Sequence, residues 1–166
     1  MGVIYVAVCG PGLASEGEEA WAEEVGGLLA REGAVVVCGG VSGVMDAVAR
    51  GASAEGGVSI GILPGPDRAE ASPHLTYSIP TGMSEGRNAL VVRAADVVIA
   101  VAGEFGTLSE IALALKMGIP VVGLATWELH RAGRPVQAFE IAETPAEAVA
   151  AALRVAGHAL DPPAGE

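Results

Sequence analysis

Three short stretches place glycine where an apolar run gives way to a helical pattern. They are Cys9-Gly10-Pro11-Gly12-Leu13-Ala14-Ser15, Cys38-Gly39-Gly40-Val41-Ser42-Gly43-Val44-Met45 and Ala102-Gly103-Glu104-Phe105-Gly106-Thr107-Leu108-Ser109-Glu110. Glycine lets the main chain approach a ligand with no Cβ in the way. The first amides of a helix carry the partial positive charge that a phosphate seeks. The candidate anion contacts are therefore Gly10, Gly12 and Ser15 in the first turn, Gly39, Gly40, Gly43 and Met45 in the second, and Gly103, Glu104, Phe105, Gly106 and Thr107 in the third.

Two side chains near these turns have chemistry of their own. Arg87 stands in Thr81-Gly82-Met83-Ser84-Glu85-Gly86-Arg87-Asn88, and Thr81, Gly82 and Asn88 join it as binding candidates. A guanidinium can hold phosphate through two parallel hydrogen bonds or pair with a carboxylate; it can equally be a solvated arginine at a helix end. Glu110 supplies a carboxylate for general acid–base work. The spacing Thr107-x-x-Glu110 is also that of a capping box, which satisfies helix amides with no function attached. The same spacing recurs at Ser15/Glu18 and Thr144/Glu147; at the last, Pro145 follows and no glycine turn precedes, so that copy reads as structural. At Glu110 both readings stay open.

These groups need a scaffold that gathers them. Apolar runs at Val3 to Cys9, Ala34 to Cys38, Val58 to Leu63, Asp96 to Ala102 and Pro120 to Leu124 read as strands. Helical patterns at Glu16 to Glu32, Val44 to Glu55, Ser84 to Ala94, Thr107 to Met117 and Pro145 to Val155 alternate with them. Thr76 to Ile79 reads as a short extended piece and Val136 to Ile141 as an edge strand, while the proline-rich excursion from Pro64 to His74 has the length of a binding loop or lid. The alternation predicts an α/β fold: a Rossmann-like, doubly wound, mainly parallel sheet with helices on both faces. Ligands of such sheets bind beyond the carboxyl ends of the strands, where the glycine turns fall. One domain over 1–160 accounts for the chain, with 161–166 expected to be a frayed tail.

In these motifs the chain resembles the LOG-like family of phosphoribohydrolases, formerly labelled lysine decarboxylases. Gly39, Gly40, Gly43 and Met45 match its G-G-x-x-G-x-M turn, and Gly103, Gly106, Thr107 and Glu110 match part of its P-G-G-x-G-T-x-x-E motif. Arg87, nine residues before Asp96, reproduces a further family feature. The stretch Thr81 to Asn88 is nearer to a subgroup that includes molybdenum-cofactor carrier proteins. Ala102 stands in place of the motif's Pro and Glu104 in place of its second Gly, and Asn88 stands where the hydrolases carry a basic residue.

The resemblance implies N-glycosidic cleavage of a nucleoside 5'-monophosphate, with Arg87 fixing phosphate or ribose and Glu110 activating water or balancing charge at C1'. The subgroup implies instead a carrier that binds molybdenum cofactor, a phosphorylated pterin or a nucleotide without breaking a bond. Neither requires a resident cofactor, and both imply a homodimer or larger homo-oligomer.

Composition sets the outer limits. Twenty acidic residues against nine basic give a net charge of −11, which opposes a polyanion and makes nucleic acid an unexpected partner. The expected partner is a phosphorylated small molecule. Lys116 is the only lysine and falls late in its helix, which argues against a pyridoxal-phosphate enzyme. His74, His130 and His158 are scattered, so no metal site is expected. Cys9 and Cys38 each close an apolar strand and read as small buried hydrophobes. With neither a basic leader nor an apolar run of membrane-spanning length, a cytoplasmic protein with no membrane partner is expected.

Overall fold

The computed structural model describes residues 2–160. Strands β1 (Tyr5–Cys9), β2 (Val35–Cys38), β3 (Val58–Leu63), β4 (Tyr77–Pro80), β5 (Val97–Val101), β6 (Val121–Leu124) and β9 (Glu140–Ala142) form one seven-stranded sheet in the order β4-β3-β2-β1-β5-β6-β9. Every pairing in it is parallel. The order reverses at β1, which pairs with β2 on one side and β5 on the other. That reversal makes the switch point of a doubly wound Rossmann-like sheet, so a ligand site is expected above the ends of β1 and β5.

The strands are apolar on both sides because both faces are covered. Helices α1 (Glu16–Arg31), α2 (Val44–Ala54) and α5 (Pro145–Leu160) pack Leu29, Val48 and Ala152 against Val6, Val8, Val36 and Ile99. On the opposite face α3 (Asn88–Arg93) and α4 (Phe105–Met117) pack Val91, Val92 and Ile111 against Ala7, Val37, Val98 and Ala100. None of these helices is long and apolar enough to cross a membrane.

Several expected elements shift. Ser84 to Ala94 divides into a 3-10 turn, Ser84–Arg87, and the short α3. The edge strand expected over Val136 to Ile141 narrows to β9, since only Glu140, Ile141 and Ala142 find register against β6. Ahead of it, β7 (His130–Arg131) and β8 (Arg134–Pro135) make a small antiparallel hairpin that the polar run 127–135 did not announce. Helix α5 continues past Val155 to Leu160, and 161–166, the expected tail, lies outside the described residues.

Helices α1 and α2 touch backbone to backbone. A Cβ on Gly51 would run into the Glu23 carbonyl, and one on Gly26 into that of Val48. Gly51→Ala must therefore push the helices apart, and we expect it to lower stability by about 1–3 kcal/mol, the range for overpacking. Gly17→Ala, with open space around it, should raise stability by up to about 1 kcal/mol. Urea denaturation midpoints at unchanged slope report both, and equal effects would contradict the close approach.

Candidate functional site

At the carboxyl edge, above the switch point, lies a cleft of about 460 Å³. Five segments wall it. The turn after β1 brings Gly10, Pro11 and Gly12, and Met45 comes from the first turn of α2. The 3-10 turn and the start of α3 bring Ser84, Glu85, Arg87 and Asn88, and the start of α4 brings Glu104, Gly106, Thr107 and Glu110. Pro64, Gly65 and Glu70 close the remaining side from the proline-rich loop, which thus borders the cleft as expected.

Arg87 is only 9% exposed, which replaces the solvated helix-end reading with a buried one. Its Nη1 donates to Asn88 Oδ1 and lies 3.9 Å from Glu110 Oε1, while Nη2 sits 4.0 Å from the Met45 sulfur. Asn88 is thereby committed to positioning, since its Nδ2 donates to Ser109 Oγ at 3.1 Å. The guanidinium lies over Gly39, where a Cβ would stand 2.6 Å from Nη2. Gly39 is required for that close approach.

The third turn corrects the capping reading of Thr107 and Glu110. Helix α4 begins two residues earlier, at Phe105, with Glu104 as its extended N-cap and no side-chain cap bond. Thr107 is therefore inside the first turn, 2% exposed, and its Oγ1 has no hydrogen-bond partner. Arg87 Nε is likewise buried and unpartnered. At Ser15, by contrast, both bonds of a capping box form with Glu18, and at Thr144 the hydroxyl accepts from the Glu147 amide at 3.2 Å. Arg87 and Thr107 both line the cleft and each keeps one buried polar atom without a partner, as does Thr126 Oγ1 outside the lining; such atoms are costly unless a ligand or water satisfies them.

Glu110 is 6% exposed, and burial pushes its carboxyl up to about 7; the Arg87 charge and a hydrogen bond from Cys9 oppose that rise. Cys9 is a buried core residue, as expected, and it neighbours Glu110. Burial and the neighbouring Glu110 charge hold its thiol well above the ordinary range. Cys38 is buried too, and burial lifts it to about 12.

Other predicted contacts lie behind the cleft wall or beside it. Ser15 caps α1. Gly40 (φ +76°) packs on Gly61 and Leu63, and Gly43 (φ +59°) on the carbonyls of Pro11 and Gly12. Thr81 donates its hydroxyl to the Leu63 carbonyl at 2.7 Å, and the Gly82 amide donates to that of Gly65 at 2.9 Å. Gly103 makes room for the Trp127 ring, and Phe105, 76% exposed, sits against that ring with centroids 5.8 Å apart. Glu70, Ser84 and Glu85 escaped the sequence reading. Only the loop length at 64–74 and the nearness of 84 and 85 to Arg87 hinted at them. Lys116 is in the last turn of α4, at the end away from the cleft.

Over residues 3–151 the chain matches the SLOG cluster4 family. It is 36% identical over 149 residues to an uncharacterized protein of Archaeoglobus fulgidus, covering 90% of this chain and 94% of that one. The molybdenum cofactor binding protein of the phototrophic bacterium Rippkaea orientalis superposes with a TM-score of 0.84 at 33% identity, covering 93% of this chain and 98% of the other. The Moco carrier protein of Chlamydomonas reinhardtii does so with a TM-score of 0.82 at 31% identity, covering 94% and 99%.

The raised Glu110 carboxyl has a consequence for stability. Between its ordinary value of 4.5 and about 7 the folded chain keeps a proton that the unfolded chain releases. Stability from this group is therefore full below the lower value and falls as pH rises through the window, with a limiting slope of about 1.4 kcal/mol per pH unit. Melting temperature measured across that window should fall more steeply for the native chain than for Glu110→Gln. Parallel curves would mean that Glu110 titrates as an exposed carboxyl.

Proposed function

The chain belongs to the SLOG cluster4 family, and from that premise we propose that its cleft binds a phosphorylated small molecule as cargo, of the molybdenum-cofactor or phosphorylated-pterin kind. The observation that carries the reading is that two residues lining one cleft, Arg87 and Thr107, each keep a buried polar atom without a partner, with Thr107 in the first turn of α4. A phosphate there accepts from the guanidinium, the hydroxyl and the helix amides together. Similarity across nearly the whole chain to proteins that bind molybdenum cofactor supports the choice of cargo.

One observation favours a second reading, N-glycosidic hydrolysis of a nucleoside 5'-monophosphate. Glu110 sits beside Arg87 with its proton affinity lifted by burial to about 7, near the value suited to general acid–base work at neutral pH. In that reaction water adds to C1', the base departs with a proton, and ribose 5-phosphate remains. Glu110 would accept the proton from the attacking water or balance positive charge developing at C1'.

The two readings share the phosphate anchor and separate at turnover. Titration with AMP and with the phosphate ester of 6-hydroxymethylpterin should give saturable binding, weakened roughly 10- to 100-fold in Arg87→Gln, the equivalent of one lost charge-assisted contact. Circular dichroism checks that the variant is folded. The cargo reading expects the pterin ester to bind more tightly and AMP to be returned intact. Release of adenine from AMP, lost in Glu110→Gln with binding retained, would overturn it in favour of the hydrolase. An absence of saturable binding by both compounds would remove both.

A further inference from the structure

The proline-rich loop that borders the cleft also lines a second hollow, of about 310 Å³. Val41 of the second glycine turn, with Leu63, Pro64, Pro66 and Ala69, makes most of that lining apolar. Pro64, Gly65 and Glu70 line both hollows, so the two share one wall. At Gly65 the wall carries no side chain, and a Cβ added there would have open space around it. The apolar hollow is therefore next door to the cleft, with a residue between them that leaves room to pass.

The wall itself is tied down along its length. The Pro64 carbonyl accepts from the Ser84 amide at 3.0 Å, and that of Gly65 accepts from the amides of Thr81 and Gly82 at 3.1 and 2.9 Å. Arg68 Nε donates to the Ser78 carbonyl at 3.2 Å. Ser72 is buried; its amide donates to the Gly40 carbonyl at 2.9 Å and its hydroxyl to Asp46 Oδ1 at 2.6 Å. A segment held in this way is shaped before any ligand arrives, which lowers the ordering entropy that binding must overcome. A mostly apolar hollow with a few placed polar groups is the usual seat of a flat heterocycle.

Two carboxylates line the hollow, and they differ in what they have left to offer. Asp67 Oδ1 accepts from the Ala69 amide at 2.8 Å and so serves the loop. Among the described residues the Glu70 carboxylate has no hydrogen-bond or ion-pair partner. We propose that the second hollow seats the ring of the phosphorylated ligand, and that Glu70 on the shared wall selects a ring presenting two adjacent N–H donors. This rests on the phosphate-binding reading above and names the ring which that reading left open. An ionised carboxylate is acceptor-only and can take two parallel N–H bonds. The 2-amino-4-oxo edge common to pterin and guanine supplies a ring N–H beside an exocyclic amine. Adenine sets an acceptor nitrogen beside its amine, and one carboxylate oxygen would then face a lone pair.

Titration of the full chain with GMP, AMP, the 6-hydroxymethylpterin phosphate ester and inorganic phosphate tests this. GMP and the pterin ester should bind about tenfold or more tightly than AMP, the equivalent of one charge-assisted contact. Glu70→Gln should bring GMP down to the level of AMP. Gly65 lies outside the left-handed region, so Gly65→Leu fits the backbone and should weaken all three ring compounds by about tenfold or more. Inorganic phosphate, which has no ring, should bind the native chain and both variants equally, and circular dichroism checks that the variants are folded. Equal affinity of the native chain for GMP and AMP, or a preference that survives in Glu70→Gln, would overturn the selection by Glu70. Ring compounds bound as tightly by Gly65→Leu as by the native chain would overturn the hollow as their seat. Either result leaves the phosphate reading standing, whereas no binding of phosphate or of any ester would bring down both.

Discussion

A buried guanidinium facing a buried carboxylate governs the arrangement of this sheet edge. Arg87 and Glu110 are each exposed by less than a tenth, 3.9 Å apart, and not joined by a direct hydrogen bond. Taking such a pair out of water costs several kcal/mol per ion, and mutual attraction at that separation returns only part of it. The neighbourhood is shaped by the need to keep the pair. The turn after β2 carries glycine because the guanidinium lies across it, and Asn88 is spent on holding the guanidinium. A pair of this kind is a poor device for stability. On the phosphate-binding proposal the pair has a role that stability alone does not give it.

The backbone of the same edge is strained at Ser84, which lines the cleft, and at Ala102, two residues before the lining residue Glu104. Ser84 has φ +47° and Ala102 φ +53°, both in the left-handed region that non-glycine residues enter at a cost. Ala102 occupies the position of the motif's proline, and proline holds φ near −65°; the backbone found here excludes it. The turn after β5 is built from different parts: Ala102 turns the chain, Gly103 admits the Trp127 ring, and the Trp127 indole fixes the Glu104 carbonyl. The substitutions at 102 and 104 thus belong to one local design.

Much of this was legible in the sequence because parallel strands covered on both faces leave unbroken apolar runs, and because glycine marks the place where such a strand turns into a helix. Parallel pairing with the glycine turns at the carboxyl edge follows from that alternation once crossovers are right-handed, while the strand order and the approach of Arg87 to Glu110 were set by the fold. What stayed hidden depended on contacts remote in the chain. Thr107-x-x-Glu110 and Ser15-x-x-Glu18 have the same spacing, yet only the second is a cap, because α4 starts at Phe105 and carries Thr107 into its first turn. The extent of β9 was decided by register against β6. The roles of Gly40 and Gly43, behind the wall rather than in it, follow from their packing on Gly61, Leu63, Pro11 and Gly12.

Arg87 is the one cationic side chain in the cleft wall, and on the phosphate-binding reading two anions compete for it: its own Glu110 and the incoming phosphate. The depth of Glu110 bears on that competition. An exposed carboxylate would be ionised throughout the neutral range and would hold the guanidinium's field permanently. A carboxyl lifted by burial to about 7 is protonated in a large fraction of molecules near neutral pH, and in those molecules the charge of Arg87 is free to meet a phosphate. The arriving phosphate adds negative charge beside Glu110 and favours its protonated form further, so proton and ligand support one another's binding. The same burial that readies Glu110 for acid–base chemistry therefore also clears the anion site, which is why the position of this carboxyl alone does not separate a carrier from a hydrolase.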